Sequence, residues 1–427
     1  MSKKSAQYRE YIKFLSEQLI NAQKPVRVLN AIKWDEKIKL DFFKHKGKKL
    51  PQVDKSYYTN SSLGFDAQLK KQEFKNLIST IKYNLDKTDL IAKLMLSRCE
   101  EYLLVIEMLA ARGTPKFHEC SKQLFGSSQD KFYSTEPNLI ALSHIVTNTL
   151  NYVKKQTTNA KDTIRYSDTQ AVKILNAALK KYFFADSDRI TVKISTNIIA
   201  DAAAGSEYIK IRKGSKFSQR SLKVLEVHEG WVHLGTTLNG MSQPYCNFLS
   251  KGTPSTLIIQ EGLAVIMEVF SFVSHPSRML GLSDRIHAIA IAESGGDFLD
   301  VYRYYIQSGL DVEESYARTT RIFRGSLPAL GPFTKDLIYN KGFILIYNFI
   351  RLAIANGKFD QINLLFLGKV SLEELKIFPQ LINAGLVNPP KYVPPPFDDL
   401  AAIGSWMCYS LFLNKFDLSK LENVIKF

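Results

Sequence analysis

Cysteine is scarce in this chain: Cys99, Cys120, Cys246 and Cys408 lie far apart with no C-x-x-C pair, which excludes both a disulfide framework and a zinc ribbon. A reducing, cytoplasmic setting is the expectation that follows. A long uncharged apolar run is also missing. The opening Met-Ser-Lys-Lys-Ser-Ala-Gln-Tyr-Arg-Glu has no signal-peptide core, and the greasy stretch Gly342 to Ala355 carries Asn348 and Arg351. That stretch reads as a buried helix, and no membrane partner is expected. Zinc-finger, RNP and Walker patterns are absent, so no specific nucleic-acid partner is expected. Acidic residues are the scarcer charge, 41 against 57 basic ones for a net of +16. Such a surface draws an acidic partner over a Debye length, although it serves solubility equally well. Clusters such as Lys44-His45-Lys46-Gly47-Lys48-Lys49 read as solvated faces.

What is present is 427 residues, 45% hydrophobic and 23% charged, enough to bury a sizeable core and long enough for two lobes. Tyr8, Tyr11, Ile12, Leu15 and Leu19 form a helical stripe at the start. A longer helix is expected to open at Thr88, with Asp89 in its first turn, and to stop near Gly113. The polar stretch Lys154 to Asp162 is the candidate boundary, giving an N-terminal helical region over 1–160 and a second domain over 161–427. Only beyond it does a period of two appear, at Ile190, Val192 and Ile194 and again over Tyr208 to Arg212, which predicts strands. Helical patterning resumes until Pro389 to Pro396, an extended strap before a last helix near Asp398 to Leu413.

Two of the seven histidines stand in Val227-His228-Glu229-Gly230-Trp231-Val232-His233. Zinc peptidases use H-E-x-x-H because residues i and i+4 share a helix face, the glutamate between them serving the attacking water. Here the spacing is one residue longer. On a regular α-helix, positions i and i+5 diverge by about 140°, so both rings reach one ion only if the helix is widened, kinked or ended there. Gly230 eases such a deformation. The alternative is a pair of unconnected core histidines.

A catalytic zinc keeps about three protein ligands. Thr253 and Pro254 suit the start of a helix in which Glu261 sits among Leu257, Ile258, Leu263, Val265 and Ile266. A carboxylate there needs a metal or a buried ion-pair partner, and both readings stand. Glu268, on the same face, is placed to hold a histidine ring or to be solvated.

His-Glu-x-x-x-His followed by Gln260-Glu261-Gly262-Leu263-Ala264 resembles the QEGLA-motif family, the flavohemoglobin-expression-modulating QEGLA proteins, which includes the microtubule-associated tyrosine carboxypeptidases. Arg321 to Gly325 and Phe333 to Gly342 are similar to further family segments. The resemblance implies a mostly helical α+β fold, a zincin-like lobe with a small sheet packed on the N-terminal helical region. It implies a zinc-dependent carboxypeptidase acting on a protein or peptide C-terminus, with His228, His233 and Glu261 on Zn2+ and Glu229 as general base. The best-known members take the terminal tyrosine from α-tubulin.

For that chemistry Tyr339 is the chosen oxyanion donor, with packing as its alternative. Arg318, Arg321 and Arg324, at three-residue intervals, and Lys335 are the candidates for a carboxylate clamp. Arg324 is preferred because it adjoins Gly325, and the alternative is pairing of this face with Glu313 and Glu314. Tyr208 to Arg212 is expected as a sheet edge on which Lys210 and Arg212 select an acidic tail. The rival class is a regulatory or binding protein with a structural or vestigial metal site.

Overall fold

A computed structural model describes residues 3–132, 137–156, 163–196, 198 and 200–416. Helices make up 66% of the chain and the sheets are small, the mostly helical α+β class expected. The N-terminal part is built of α1 (Lys3–Gln23), α2 (Ala67–Asn84), α3 (Leu90–Ala110), α4 (Pro115–Phe125) and α5 (Leu139–Gln156), with shorter helices between. α3 starts after Asp89 rather than Thr88. The Asp89 carboxylate accepts the Ile91 and Ala92 N–H groups, whereas the Thr88 hydroxyl donates to Asp86 at 2.6 Å.

These helices do not form a core of their own. Ile12, Leu15, Phe74, Met95 and Leu109 belong to the same buried cluster as Val227, Leu263, Ile346 and Phe366. The expected boundary at 160 falls outside the described residues, and the hydrophobic core runs across it. Buried Arg98 of α3 reinforces the junction: it donates to the carbonyls of Lys251 and Lys369 at 3.0 and 2.7 Å and pairs with Glu374. Removing it would leave those acceptors unmatched in the interior.

Next come β1 (Ile164–Ser167), α6 (Asp168–Tyr182), β2 (Thr191–Ser195), β3 (Ala202–Ala204), β4 (Tyr208–Arg212) and β5 (Lys216–Ser218). β1 pairs with β5, and the larger sheet has the order β2-β4-β3, with β4 parallel to β2 and antiparallel to β3. Tyr208 to Arg212 is therefore the central strand, which corrects its assignment as an edge. The edges are β2 and the alanine run of β3, the latter too short and too uniform in side chain to show a period of two. Val192, Ile209 and Ile211 turn inward onto Leu175 and Leu179 of α6 and onto Leu234 and Leu238.

A continuous rod follows: α7 (Gln219–Leu225), a π-helical segment over Glu226–Leu234, and α8 (Gly235–Met241). Then come α9 (Pro254–Phe270), α10 (Pro276–Glu293), α11 (Phe298–Gln307), α12 (Val312–Phe323), α13 (Ile338–Ala355) and α14 (Leu400–Leu413). α9 opens on the expected Thr253 cap with Pro254 in its first turn. Thr334–Ala355, which contains α13, is long and apolar enough by composition to cross a membrane. In this fold its Ile338, Gly342, Ile346, Ile350 and Ala353 are buried, as a core helix requires. The proline strap is pinned to α8, where Tyr392 N–H donates to Asn239 Oδ1 and its carbonyl accepts from Asn239 Nδ2. It is extended as far as Pro394, and Pro395 begins a short helical turn, a position that proline favours.

Candidate active site

The widened spacing of the two histidines is met by a widened helix. Over Glu226–Leu234 the backbone adopts a π-helix, in which the i→i+5 ladder sets residues five apart on one side. His228 and His233 consequently bring their rings to 4.9 Å. Gly230 also leaves room for Leu179 of α6, whose Cδ2 would have to shift to admit a Cβ there. The ligand atoms of His228, Glu229 and His233 lie within 4.8 Å of one another.

α9 delivers Glu261 to the same point. Its Oε2 is 3.4 Å from His228 Nε2 and 3.5 Å from His233 Nε2, while Lys335 Nζ stands 3.9 Å from its Oε1. Glu261 is 8% exposed. Glu268, two turns on, sits 2.8 Å from His228 Nδ1 and is itself gripped by Arg278 of α10 at 2.9 and 3.1 Å. Burial works against the charge on Glu268, but Arg278 and His228 outweigh it and bring the carboxyl down to about 2.

Glu268 is an acceptor, so His228 Nδ1 carries the proton and Nε2 of the neutral ring is a lone pair. That lone pair faces Glu261 Oε2, another acceptor, which is buried and has no hydrogen-bond partner. Both atoms are satisfied by a proton on Nε2 or, in its place, by a cation. Without one, burial pulls His228 down but the carboxylates of Glu261 and Glu268 prevail and raise it to about 9. Burial likewise works against a charged Glu261, yet the two imidazoles hold it well below the usual carboxylate range. Two imidazole nitrogens and one carboxylate oxygen are the donor set of a three-ligand zinc site.

Glu229 stands beside this set and is oriented by the sheet, its Oε2 accepting the Ala204 N–H of β3 at 2.8 Å. Tyr339, in the first turn of α13, stacks on His228 with centroids 6.5 Å apart. Burial, aided by Glu261, pushes its phenol up to about 12, so it stays a donor at neutral pH.

The clamp candidates separate. Arg318 is engaged by Glu314 at 2.6 Å and lies 4.0 Å from Asp284, and Arg321 makes two 2.8 Å bonds to Asp336. Arg324 does not share their helix face, because α12 ends at Phe323 and Arg324 turns out of the helix at ψ 134°. It is buried, and its Nε has no partner among the described residues. Burial lowers it to about 10 and pulls Lys335 down as well. Lys210 leans on the Tyr208 ring, 5.4 Å from its centroid, and Arg212 pairs with Asp201 at 2.6 Å. Both sit on the central strand, so neither lines a free edge.

Three further residues escaped sequence reasoning. Arg278 and Arg285 lie seven apart on α10 and therefore share a face. Arg285 rests over Tyr339, 4.6 Å from the ring centroid, with its Nη1 sealed from solvent and unpartnered. The seven-residue spacing of Arg278 and Arg285 on one helix was the available signal. Lys369, isolated between apolar residues, donates to the His233 carbonyl, Thr236 Oγ1 and Gln260 Oε1. Burial lowers it to about 7.

Glu229, the two histidines, Glu261 and the buried cations Lys335, Arg285 and Arg324 thus gather on a mostly helical α+β scaffold. A family model described as microtubule-associated tyrosine carboxypeptidase matches residues 40–415. The chain belongs to that family, and its class is that of the carboxypeptidases. No curated protein matches the chain in sequence.

Proposed function

We propose that this protein is a zinc-dependent carboxypeptidase of the HExxxH type, removing the C-terminal residue of a protein, with tyrosine the leading candidate. The observation that carries the reading is Glu261 Oε2, buried, unpartnered and facing the Nε2 atoms of both histidines. His228, His233 and Glu261 would hold the ion. Zinc bound there supplies a Lewis acid that polarises the scissile carbonyl and acidifies the attacking water.

The chain's own residues do the rest. Glu229, steadied by Ala204, takes the water's proton and passes it to the leaving amine. Tyr339 donates its phenolic hydrogen to the oxygen on which negative charge develops. Arg324 Nε and Arg285 Nη1, without hydrogen-bond partners among the described residues, and Lys335 offer cationic donors that fit a free α-carboxylate, so a free C-terminus is the recognised feature.

The substrate backbone enters along β3. Gly205 N–H bonds to the Tyr208 carbonyl and Arg212 N–H to the Asp201 carbonyl, so the antiparallel alternation turns the peptide groups of Ala202 and Ala204 away from β4. That edge suits strand addition through its outward groups other than the Ala204 N–H, which already bonds Glu229. The family description supports tyrosine as the residue removed and a microtubule as the setting. The net charge of +16 favours an acidic tail, and the free cysteines fit a cytoplasmic location.

The test uses wild type and Glu229→Gln purified without chelator, their bound metal measured, and peptides ending in tyrosine as free acid or amide. One zinc per chain in each, with shortening by wild type alone and of the free acid alone, supports the reading. Absence of metal, or equal cleavage of the amide, overturns it.

A further inference from the structure

The glutamine of Gln260-Glu261-Gly262-Leu263-Ala264 touches neither histidine ring nor Glu229 by any hydrogen bond, yet it is 1% exposed beside the triad. Its Oε1 accepts from Thr236 Oγ1 at 2.7 Å and from Lys369 Nζ at 2.8 Å, while its Nε2 is sealed without a partner among the described residues. A flipped amide would set N–H against ammonium. The orientation therefore serves Lys369, at the expense of Nε2.

An ammonium has three donors and no acceptor. All are used: Lys369 Nζ is 2.8 Å from the His233 carbonyl, 2.9 Å from Thr236 Oγ1 and 2.8 Å from Gln260 Oε1. These acceptors belong to the end of the π-segment, the first turn of α8, and α9. The lysine backbone is fixed as well, its N–H donating to the Leu249 carbonyl at 2.6 Å and its carbonyl accepting from Arg98 at 2.7 Å. With no donor left over, Lys369 has nothing to offer a substrate; with both ends held, it fixes what it bridges.

We propose that Lys369 is a positioning residue for the metal triad, tying the backbone of His233 to the neighbour of Glu261 and so setting the gap between the π-segment and α9 that the ion must span. The inference rests on the zinc reading above. Outer partners of this kind are worth about 10–100-fold in metal affinity.

The test compares wild type with Lys369→Met by zinc competition against a chromophoric chelator, by the absorption spectrum of the cobalt(II) form, and by kcat and KM separately. The expected result is zinc binding weakened about 10–100-fold, a shifted cobalt spectrum, and a fall in kcat with KM little changed. Unaltered zinc affinity, spectrum and kcat overturn it. Should Lys369→Met not fold, Thr236→Val removes one acceptor of the bridge and Thr236→Ser keeps it. A loss of zinc affinity in the valine form that the serine form lacks supports the bridge, and equal affinity in both overturns it. A wild type that binds no zinc overturns the reading beneath and this inference with it, whereas zinc-loaded variants indistinguishable from wild type overturn this inference alone.

Discussion

Gly262 and Gly342 meet backbone to backbone where α9 crosses α13. A Cβ on Gly262 would strike the carbonyl carbon of Gly342, and one on Gly342 would strike the carbonyl oxygen of Ile258. The crossing brings Glu261, one residue before Gly262, together with Tyr339 and Lys335, which lie just ahead of Gly342. Small residues at a helix crossing let two axes approach closely, and here that approach builds one wall of the site.

Gly262→Ala should accordingly destabilise the fold, since the atoms in the way are backbone and cannot rotate aside. Overpacking of this sort costs about 1–3 kcal/mol or more. Urea denaturation of Gly262→Ala and Gly342→Ala should each show a lowered midpoint, with a double-variant effect smaller than the sum because helices already forced apart by one Cβ resist the second less. Midpoints equal to wild type would mean that the helices do not cross here.

Tyr339→Phe keeps the ring that stacks on His228 and removes only the donor. Loss of one oxyanion donor costs about 10²–10³ in kcat. Zinc content and KM should stay near wild type. A kcat within twofold of wild type would assign Tyr339 to packing.

The cations beside the triad should divide into two groups. Lys335→Met and Arg285→Met remove groups without a full partner, and a hydrogen bond to a charged group is worth about 1.5–3 kcal/mol, so each should raise KM for a free-acid peptide about 10–100-fold. Arg318→Gln, which gives up contacts to Glu314, Asp284 and the Tyr305 ring, should leave KM unchanged. The reverse pattern would move the carboxylate subsite to the other end of α12.

Local signals were legible in the sequence wherever a residue type can do only one thing. The extra residue between His228 and His233 demanded a non-α turn, and the backbone supplies a π-helix. Thr253-Pro254 announced α9. The central position of β4 was not legible, because register and strand order depend on Ala202–Ala204, whose side chains carry no period. The separation of Arg318, Arg321 and Arg324 was legible in part: the i,i+4 pairing of Arg318 with Glu314 was the stated alternative, whereas the turn at Arg324 and the pairing of Arg321 with Asp336 lie beyond any local pattern. Lys369 is 108 residues from Glu261 in the chain, and only the fold makes them neighbours.

Acid stability offers a test of the buried pair beside the site. Burial works against a charged Asp336, but Arg321 prevails, with Arg285 and Lys335 adding to it, and holds the carboxyl well below the ordinary aspartate range. A carboxyl whose folded pKa is depressed binds its proton more readily when unfolded, so the stabilisation is complete above the unfolded value of about 3.9 and is lost as pH falls through the folded one. Between pH 7 and 5 the pair should add no slope to the urea midpoint; below about pH 4.5 wild type should lose stability with each further step in pH. Asp336→Asn should begin lower at pH 7, by about 3 kcal/mol for a guanidinium stripped of its buried partner. Its curve should then fall less steeply than wild type below pH 4.5, because the group that titrates is gone. Curves that stay parallel down to pH 3 would show that Asp336 is not held ionised by Arg321.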